Sequence, residues 1–492
     1  MSESEQMRAK KIPRRREGAL SGVLWLGSGQ VVGQAIHLSS RLLLARLLLP
    51  EDFGLIAMAT VVIVFQDLVT AIGIPQALVQ AKAIDETTKS SAFWAMLLQA
   101  ALVAALTCLS APACAALFGE PQLVGVIVAL AVGGAILAPV ALIESLLMRE
   151  MIFRTVALRR ALGKLAGGVA AVSLALLGYG VWSLVAGRLA TSLISLLLVA
   201  KAAAWRPRFV FSVPALRSLA KFGGGVVFAG VISTATKQLP TLVVGKWLGS
   251  TEVGYLSLAQ QVVLLPLTYV ARPVVGVLFS VFSRLQDKRA EFAAVFQRWQ
   301  FAVVAVAGLL PPLAALVAPV VVPGVLGEQW GPAVFIFQVL AVPATAQLVV
   351  AIVAAALRGL GQIRAVAGWM VFGFAVQAAG LAVGVRWGLE GAVVGWSLSS
   401  IASLLYGAVL AARALDRSVL TVLKPLGVTA PSIAGALGLG HLMLTHIDAS
   451  PLLGAAAAVV VGVVAYGAIL FVVAPAERDW VRQWLAKRRS IK

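Results

Sequence analysis

The stretch LLLARLLLPEDFGLIAMA, Leu42–Ala59, returns two hundred positions later as LVVGKWLGSTEVGYLSLA, Leu242–Ala259. Without gaps, Arg46 aligns with Lys246, Leu48 with Leu248, Asp52 with Glu252, Gly54 with Gly254 and Ala59 with Ala259. Leucines and alanines coincide often by chance in so apolar a chain. The weight therefore rests on the shared register of base, acid and glycine. Each copy holds the end of one apolar segment, a short charged turn and the start of the next segment. A repeat of this kind predicts two related halves with the working site between them.

The rest of the chain has the composition that such hairpins need. Of its 492 residues 60% are hydrophobic and only 12% charged, about half the charged share of a soluble domain. Apolar runs of about 20 residues recur from end to end, which predicts an all-α, multi-pass membrane protein. A membrane β-barrel would instead alternate in segments of about ten residues. The net charge of +20 raises nucleic acid as a ligand, but the bases gather in loops between apolar segments, where positive-inside sorting puts them. Cys108 and Cys114 share one apolar segment and form no redox or metal motif. No metal or cofactor is expected.

Fourteen spans are predicted. A basic tail (1–19) precedes six of them (20–202). A basic linker (203–221), six further spans (222–412), an additional pair (423–474) and a basic amphipathic tail (475–492) with Trp480 and Trp484 follow. Most lysines and arginines fall on the face shared by the two tails, including Arg149, Arg154, Arg159 and Arg160, which are counted with the loop at the start of a fifth span placed roughly at 158. Only Arg46, Lys246 and Arg386 fall opposite. Both termini are therefore expected in the cytoplasm. A second repeat joins Tyr179–Leu193 to Glu390–Leu404, matching Gly180 with Gly391 and Ser192 with Ser403.

Five bases remain inside spans: Arg41, Lys164, Arg188, Lys237 and Arg272. Each costs about 2.5–3.5 kcal/mol at a bilayer centre unless it faces a wet interior, a counter-charge or an anion. The acids inside are Asp67 and Glu144. Arg41 and Lys164 lie near enough to span ends to snorkel, and Arg188 has Asp67 or Glu144 as an alternative, structural partner. Lys237 stands in the register of His37 under the two-hundred-residue offset. The excess of bases is the pattern that a pathway for an anionic substrate requires. The candidate cavity residues are thus His37, Arg41, Arg188, Lys237 and Arg272. Asp67 and Glu144 are candidates for ion coupling, and Arg46 and Lys246 for an outer gate. No nucleotide loop, catalytic set or acidic metal cluster occurs.

Phe53–Gln80, Leu146–Leu189 and Leu242–Gln286, with their LGYGVWSLV and RPVVGVLFSVFSRLQ segments, resemble the polysaccharide transporter family. The nearest branch is the Wzx-type, colanic-acid-exporter-like flippases of the multidrug/oligosaccharidyl-lipid/polysaccharide exporter superfamily. The resemblance implies two six-helix bundles in a V plus two helices. It also implies alternating access that carries an undecaprenyl-diphosphate-linked oligosaccharide across a bacterial inner membrane for surface polysaccharide synthesis. Partners would be that lipid-linked substrate, membrane lipids and the polysaccharide polymerase or export machinery. A multidrug/cation antiporter of the same superfamily is an alternative, disfavoured by the net basic interior. A membrane glycan ligase or polymerase is another, disfavoured by short outer loops.

Overall fold

A computed structural model describes residues 19–71, 75, 78, 84–203, 205–220, 224–446 and 450–475. The expected basic tails, apart from their innermost residues, and Gly73, Lys82, Lys221 and Gly223 lie outside the described residues. No strand occurs among those described.

The helices in order are α1 (Ala19–Leu47), α2 (Pro50–Ala71), α3 (Glu86–Phe118), α4 (Leu123–Arg149), α5 (Phe153–Leu176), α6 (Val181–Ala202), α7 (Val213–Ala220), α8 (Gly224–Leu248) and α9 (Ser250–Val263). They continue as α10 (Arg272–Arg284), α11 (Arg289–Ala307), α12 (Leu310–Val321), α13 (Ala333–Gly359), α14 (Ile363–Gly384), α15 (Gly388–Leu415), α16 (Val419–His446) and α17 (Pro451–Val473). The fold is all-α. Setting the short α7 aside and joining α9 to α10 and α11 to α12 leaves 14 segments of span length. Among the described residues nine helical stretches pass a test of length and hydropathy, or ten with the bent pair α9–α10. One of the nine, Ile363–Leu415, contains both α14 and α15. Among the described residues α1, α5 and α8 are not in that set, and in α5 the Arg159–Lys164 group lowers the hydropathy.

The chain divides into two compact units, Met1–Thr234 and Ala235–Lys492. Both opening hairpins exist. The first turns at Pro50, whose fixed φ starts α2 and whose missing N–H is no loss at a helix N-terminus, and the Asp52 carboxylate accepts from the Leu49 N–H at 3.1 Å. The second turns at Gly249, which sits at φ 98, a conformation open to glycine.

Lipid offers no hydrophobic drive for one helix to join another, so contacts rely on small residues that let backbones approach. In unit 1, α5 and α6 meet antiparallel along Gly163, Gly167 and Ala171 against Ser195, Thr191 and Gly187. A Cβ on Gly187 would stand 2.8 Å from the Gly167 carbonyl oxygen. In unit 2, α14 and α15 repeat the device, with Gly380 and Gly384 against Gly395 and Gly391. The larger buried cores sit elsewhere: Met96, Leu142 and Leu147 in unit 1, and the stacked Phe282 and Phe292 beside Phe296 and Ile352 in unit 2.

The linker is held to α3. The Trp94 indole N–H donates to the Arg208 carbonyl at 2.8 Å, and its ring stacks on Phe209 with centroids 4.8 Å apart. The Arg208 and Ser212 N–H groups donate to the Ser90 and Ser91 hydroxyls.

The span α9–α10 is bent by 41°. Pro266 and Pro273 have no N–H to give, and the chain between them widens into a π-turn, Leu267–Ala271. The Arg272 N–H closes it on the Leu267 carbonyl, five residues back. Such bulges often mark functional sites.

Candidate functional site

The polar interior of unit 1 is assembled from two facing stripes. On α1, Gly33, His37 and Arg41 recur every four residues and so share a face. On α5, Arg160, Lys164 and Gly168 do the same. The two helices run parallel, with Gly29 against Ala157, Gly33 against Lys164 and Ser40 against Gly168. Gly33 is what admits the lysine: a Cβ there would stand 3.2 Å from Lys164 Cδ and 3.7 Å from its Nζ. The ammonium thereby comes within electrostatic reach of His37, as does Arg41.

The stripe continues at both ends. Arg41 lies within electrostatic reach of Arg188 on α6. Arg188 donates to the Thr60 hydroxyl at 3.4 Å and stands 3.9 Å from the Asp67 carboxylate, both on α2. At the other end, Lys164 neighbours Arg160, and Arg159 and Arg160 both pair with Glu144 on α4. The Arg160 Nε–Glu144 distance is 3.0 Å. The result is a line of basic groups with a carboxylate at each end and, among the described residues, none beside its middle. Among the described residues, Arg41 and Lys164 form no ion pair.

In unit 2, Lys237 on α8 and Arg272 at the first position of α10 are both exposed and lie within electrostatic reach of each other. Neither has an ion-pair partner among the described residues. The Gln377 side chain on α14 donates to the Thr236 carbonyl at 3.2 Å, tying down the turn of α8 that carries Lys237. Arg46 and Lys246 occupy the last turns of α1 and α8, where a cation complements the helix dipole. Both are exposed, and Lys246 Nζ sits 5.0 Å from the centroid of the Trp247 ring. No group of three potential metal ligands occurs among the described residues.

The loop assigned to Arg159 and Arg160 does not exist: α5 begins at Phe153 rather than at 158. Met151 takes φ 58 in the turn and the Ile152 N–H bonds back to the Leu147 carbonyl at 2.9 Å. This tight return starts α5 early and draws both arginines into the helix beside Glu144. The four-residue spacing of Arg160, Lys164 and Gly168 was the available signal. Gly33 and Thr60, also missed, carry no such mark.

These elements define a multi-pass α-helical membrane protein with paired and unpaired charges inside its helical bundles. Its fold is that of two solved transporters. The lipid II flippase MurJ, in an inward closed conformation, superposes with a TM-score of 0.74 at 14% identity, over 93% of this chain and 100% of that one. An inward-facing multidrug resistance MATE transporter gives 0.55 at 16% identity, over 79% and 99%. The family described as "Polysaccharide biosynthesis protein" matches residues 43–335, and the chain belongs to it. That segment contains Asp67, Glu144, Lys164, Arg188, Lys237 and Arg272, while His37 and Arg41 stand just before it.

Curated relatives agree. The succinoglycan biosynthesis transport protein ExoT of Rhizobium meliloti (strain 1021) is 32% identical over 295 residues, 58% of each chain. The lipopolysaccharide biosynthesis protein WzxC of Escherichia coli (strain K12) is 24% identical over 333 residues, 66% of this chain and 67% of that one. The match thus spans 58% of ExoT's own length.

Proposed function

We propose that this protein is a flippase that carries a lipid-linked oligosaccharide, of the undecaprenyl-diphosphate type, across a bacterial inner membrane for surface polysaccharide synthesis. The observation that carries this reading is the pair of cations Arg41 and Lys164 beside His37 in unit 1, with a second set, Lys237 and Arg272, in unit 2, none of these four in an ion pair among the described residues. Cations within spanning segments that lack a counter-charge are costly in a membrane protein, and a diphosphate would relieve that cost during passage. The names of ExoT, a succinoglycan biosynthesis transport protein, and WzxC, a lipopolysaccharide biosynthesis protein, support a glycan as the cargo. The chemistry asked of the chain is binding and release, with no bond made or broken.

In this reading both termini face the cytoplasm, Arg46 and Lys246 line the outer gate, and a polysaccharide polymerase receives the delivered oligosaccharide. Cells lacking the protein should lose surface polysaccharide and accumulate the lipid-linked precursor. Normal surface polysaccharide without accumulation would refute the assignment.

Asp67 separates two roles. It stands 3.9 Å from Arg188, both half-exposed, so it either tunes that guanidinium or carries a coupling cation. Asp67→Asn is expected to lower export several-fold and to abolish its response to the ion gradient if Asp67 couples transport. A fully active variant with an unchanged response would remove Asp67 from coupling.

A further inference from the structure

Among the described residues of unit 1, Glu144 is the most buried carboxylate, at 8% exposure, and it faces two guanidinium groups rather than one. One would suffice to neutralise it. The two arginines are also unequal: the Arg159 side chain is 11% exposed and the Arg160 side chain 37%. Arg160 is the more accessible, shares a helical face with Lys164 four residues on, and lies within electrostatic reach of its ammonium. A group so placed is tied to Glu144 but borders the uncapped cations.

Resting on the flippase reading above, we infer that Arg160 is a further diphosphate-binding residue at the cytoplasmic entrance of the cation line, and that Glu144 is its positioning residue, holding it while the site is empty. The carboxylate stands in for the headgroup. Arg159 stays with Glu144 throughout, so the buried acid is never left without a partner. Arg160 exchanges one oxyanion for another: its N–H donors leave the Glu144 oxygens and meet phosphate oxygens, with no change in the number of charge-assisted hydrogen bonds. The exchange keeps the site from holding the diphosphate too tightly, since release restores the Arg160–Glu144 pair. This suits a carrier, which has to let go of its cargo on the far side.

This makes a prediction opposite in sign to that of a structural salt bridge. The test is the binding of farnesyl diphosphate to the full-length protein in nanodiscs. Glu144→Gln is expected to tighten binding about tenfold, the scale of one freed charge-assisted interaction. Adding Arg160→Gln to that variant should take binding back to wild type or weaker, whereas adding Arg159→Gln should leave the gain in place. Glu144→Asp, which keeps the charge, should restore wild-type affinity. Unchanged or weaker binding in Glu144→Gln overturns the inference.

Should that variant fail to accumulate, Arg160→Gln alone decides. Arg159 still partners Glu144, so the protein should fold, and binding should weaken several-fold. Unchanged binding then overturns the proposal. Failure of the flippase reading itself has a different signature: Arg41→Gln with Lys164→Gln would leave farnesyl diphosphate binding untouched.

Discussion

Arg41→Gln is expected to abolish polysaccharide export while leaving the protein in the membrane at its normal level. The guanidinium lies in the uncapped middle of the unit 1 cation line, between His37 and Arg188. No ion pair holds it among the described residues, so its loss unpairs no acid and should not unfold the bundle. Glutamine is shorter but keeps hydrogen-bonding capacity, and it removes the charge that the proposed diphosphate needs. Deleting one partner of a desolvated charge pair costs about 2–5 kcal/mol, which corresponds to a loss of roughly thirty-fold to several thousand-fold in binding. Export measured against membrane protein abundance checks this. Arg41→Lys, which keeps the charge but not the fork of donors, should retain part of the activity. An Arg41→Gln protein that exports normally would show that the residue only fills space.

The second large effect is on stability. Gly380→Val should prevent α14 from seating against α15. The new Cβ would stand 2.5 Å from the Gly395 carbonyl oxygen and collide with the Ser399 hydroxyl. The first obstacle is backbone and cannot rotate away. Relief requires the helices to separate, which would break the Ser399 bond to the Val376 carbonyl on α14, 3.0 Å long. Overpacking of this kind costs about 1–3 kcal/mol or more, and in detergent the midpoint of thermal unfolding should fall by a few degrees. Gly368 lies in the same helix with nothing near its absent Cβ. Gly368→Ala should be neutral or slightly stabilising, by about 0.4–1 kcal/mol. Equal behaviour of the two variants would contradict the close-contact account.

The arrangement of helices was legible in the sequence because membrane spans are written in composition. Runs such as Leu123–Arg149 have no other use, and the base–acid–glycine turns at Arg46 and Lys246 marked where each unit opens. The small-residue stripe of α5 and α6 was less visible, since Gly163 and Gly167 look like any glycines until their partners across the hairpin are known. The π-turn before Arg272 is not written in Pro266 and Pro273 alone, because its register depends on which carbonyl the Arg272 N–H reaches.

The candidate site was legible in part. His37, Arg41, Lys164, Arg188, Lys237 and Arg272 could be singled out as candidates because a charged or titratable group in an apolar run is conspicuous. Pairing Arg188 with Asp67 was one of the alternatives that the sequence left open, and the two lie 3.9 Å apart. Arg159 and Arg160 were placed in a loop because the start of α5 depends on Met151, a non-glycine residue in a left-handed conformation. Local propensity does not foresee such a turn. That one local feature decides whether Glu144 stands alone or is shared by two arginines.

The account rests on unpaired cations inside the helical units carrying an anionic lipid-linked glycan. It is tested most directly by reconstituting the purified protein into liposomes containing a fluorescent polyprenyl-diphosphate oligosaccharide and measuring transfer between leaflets with an impermeant quencher. Wild-type protein should accelerate transfer over protein-free vesicles, and the Arg41→Gln and Lys164→Gln proteins should fall to the protein-free rate. Transfer by both variants at the wild-type rate, or no acceleration by the wild type, would contradict it.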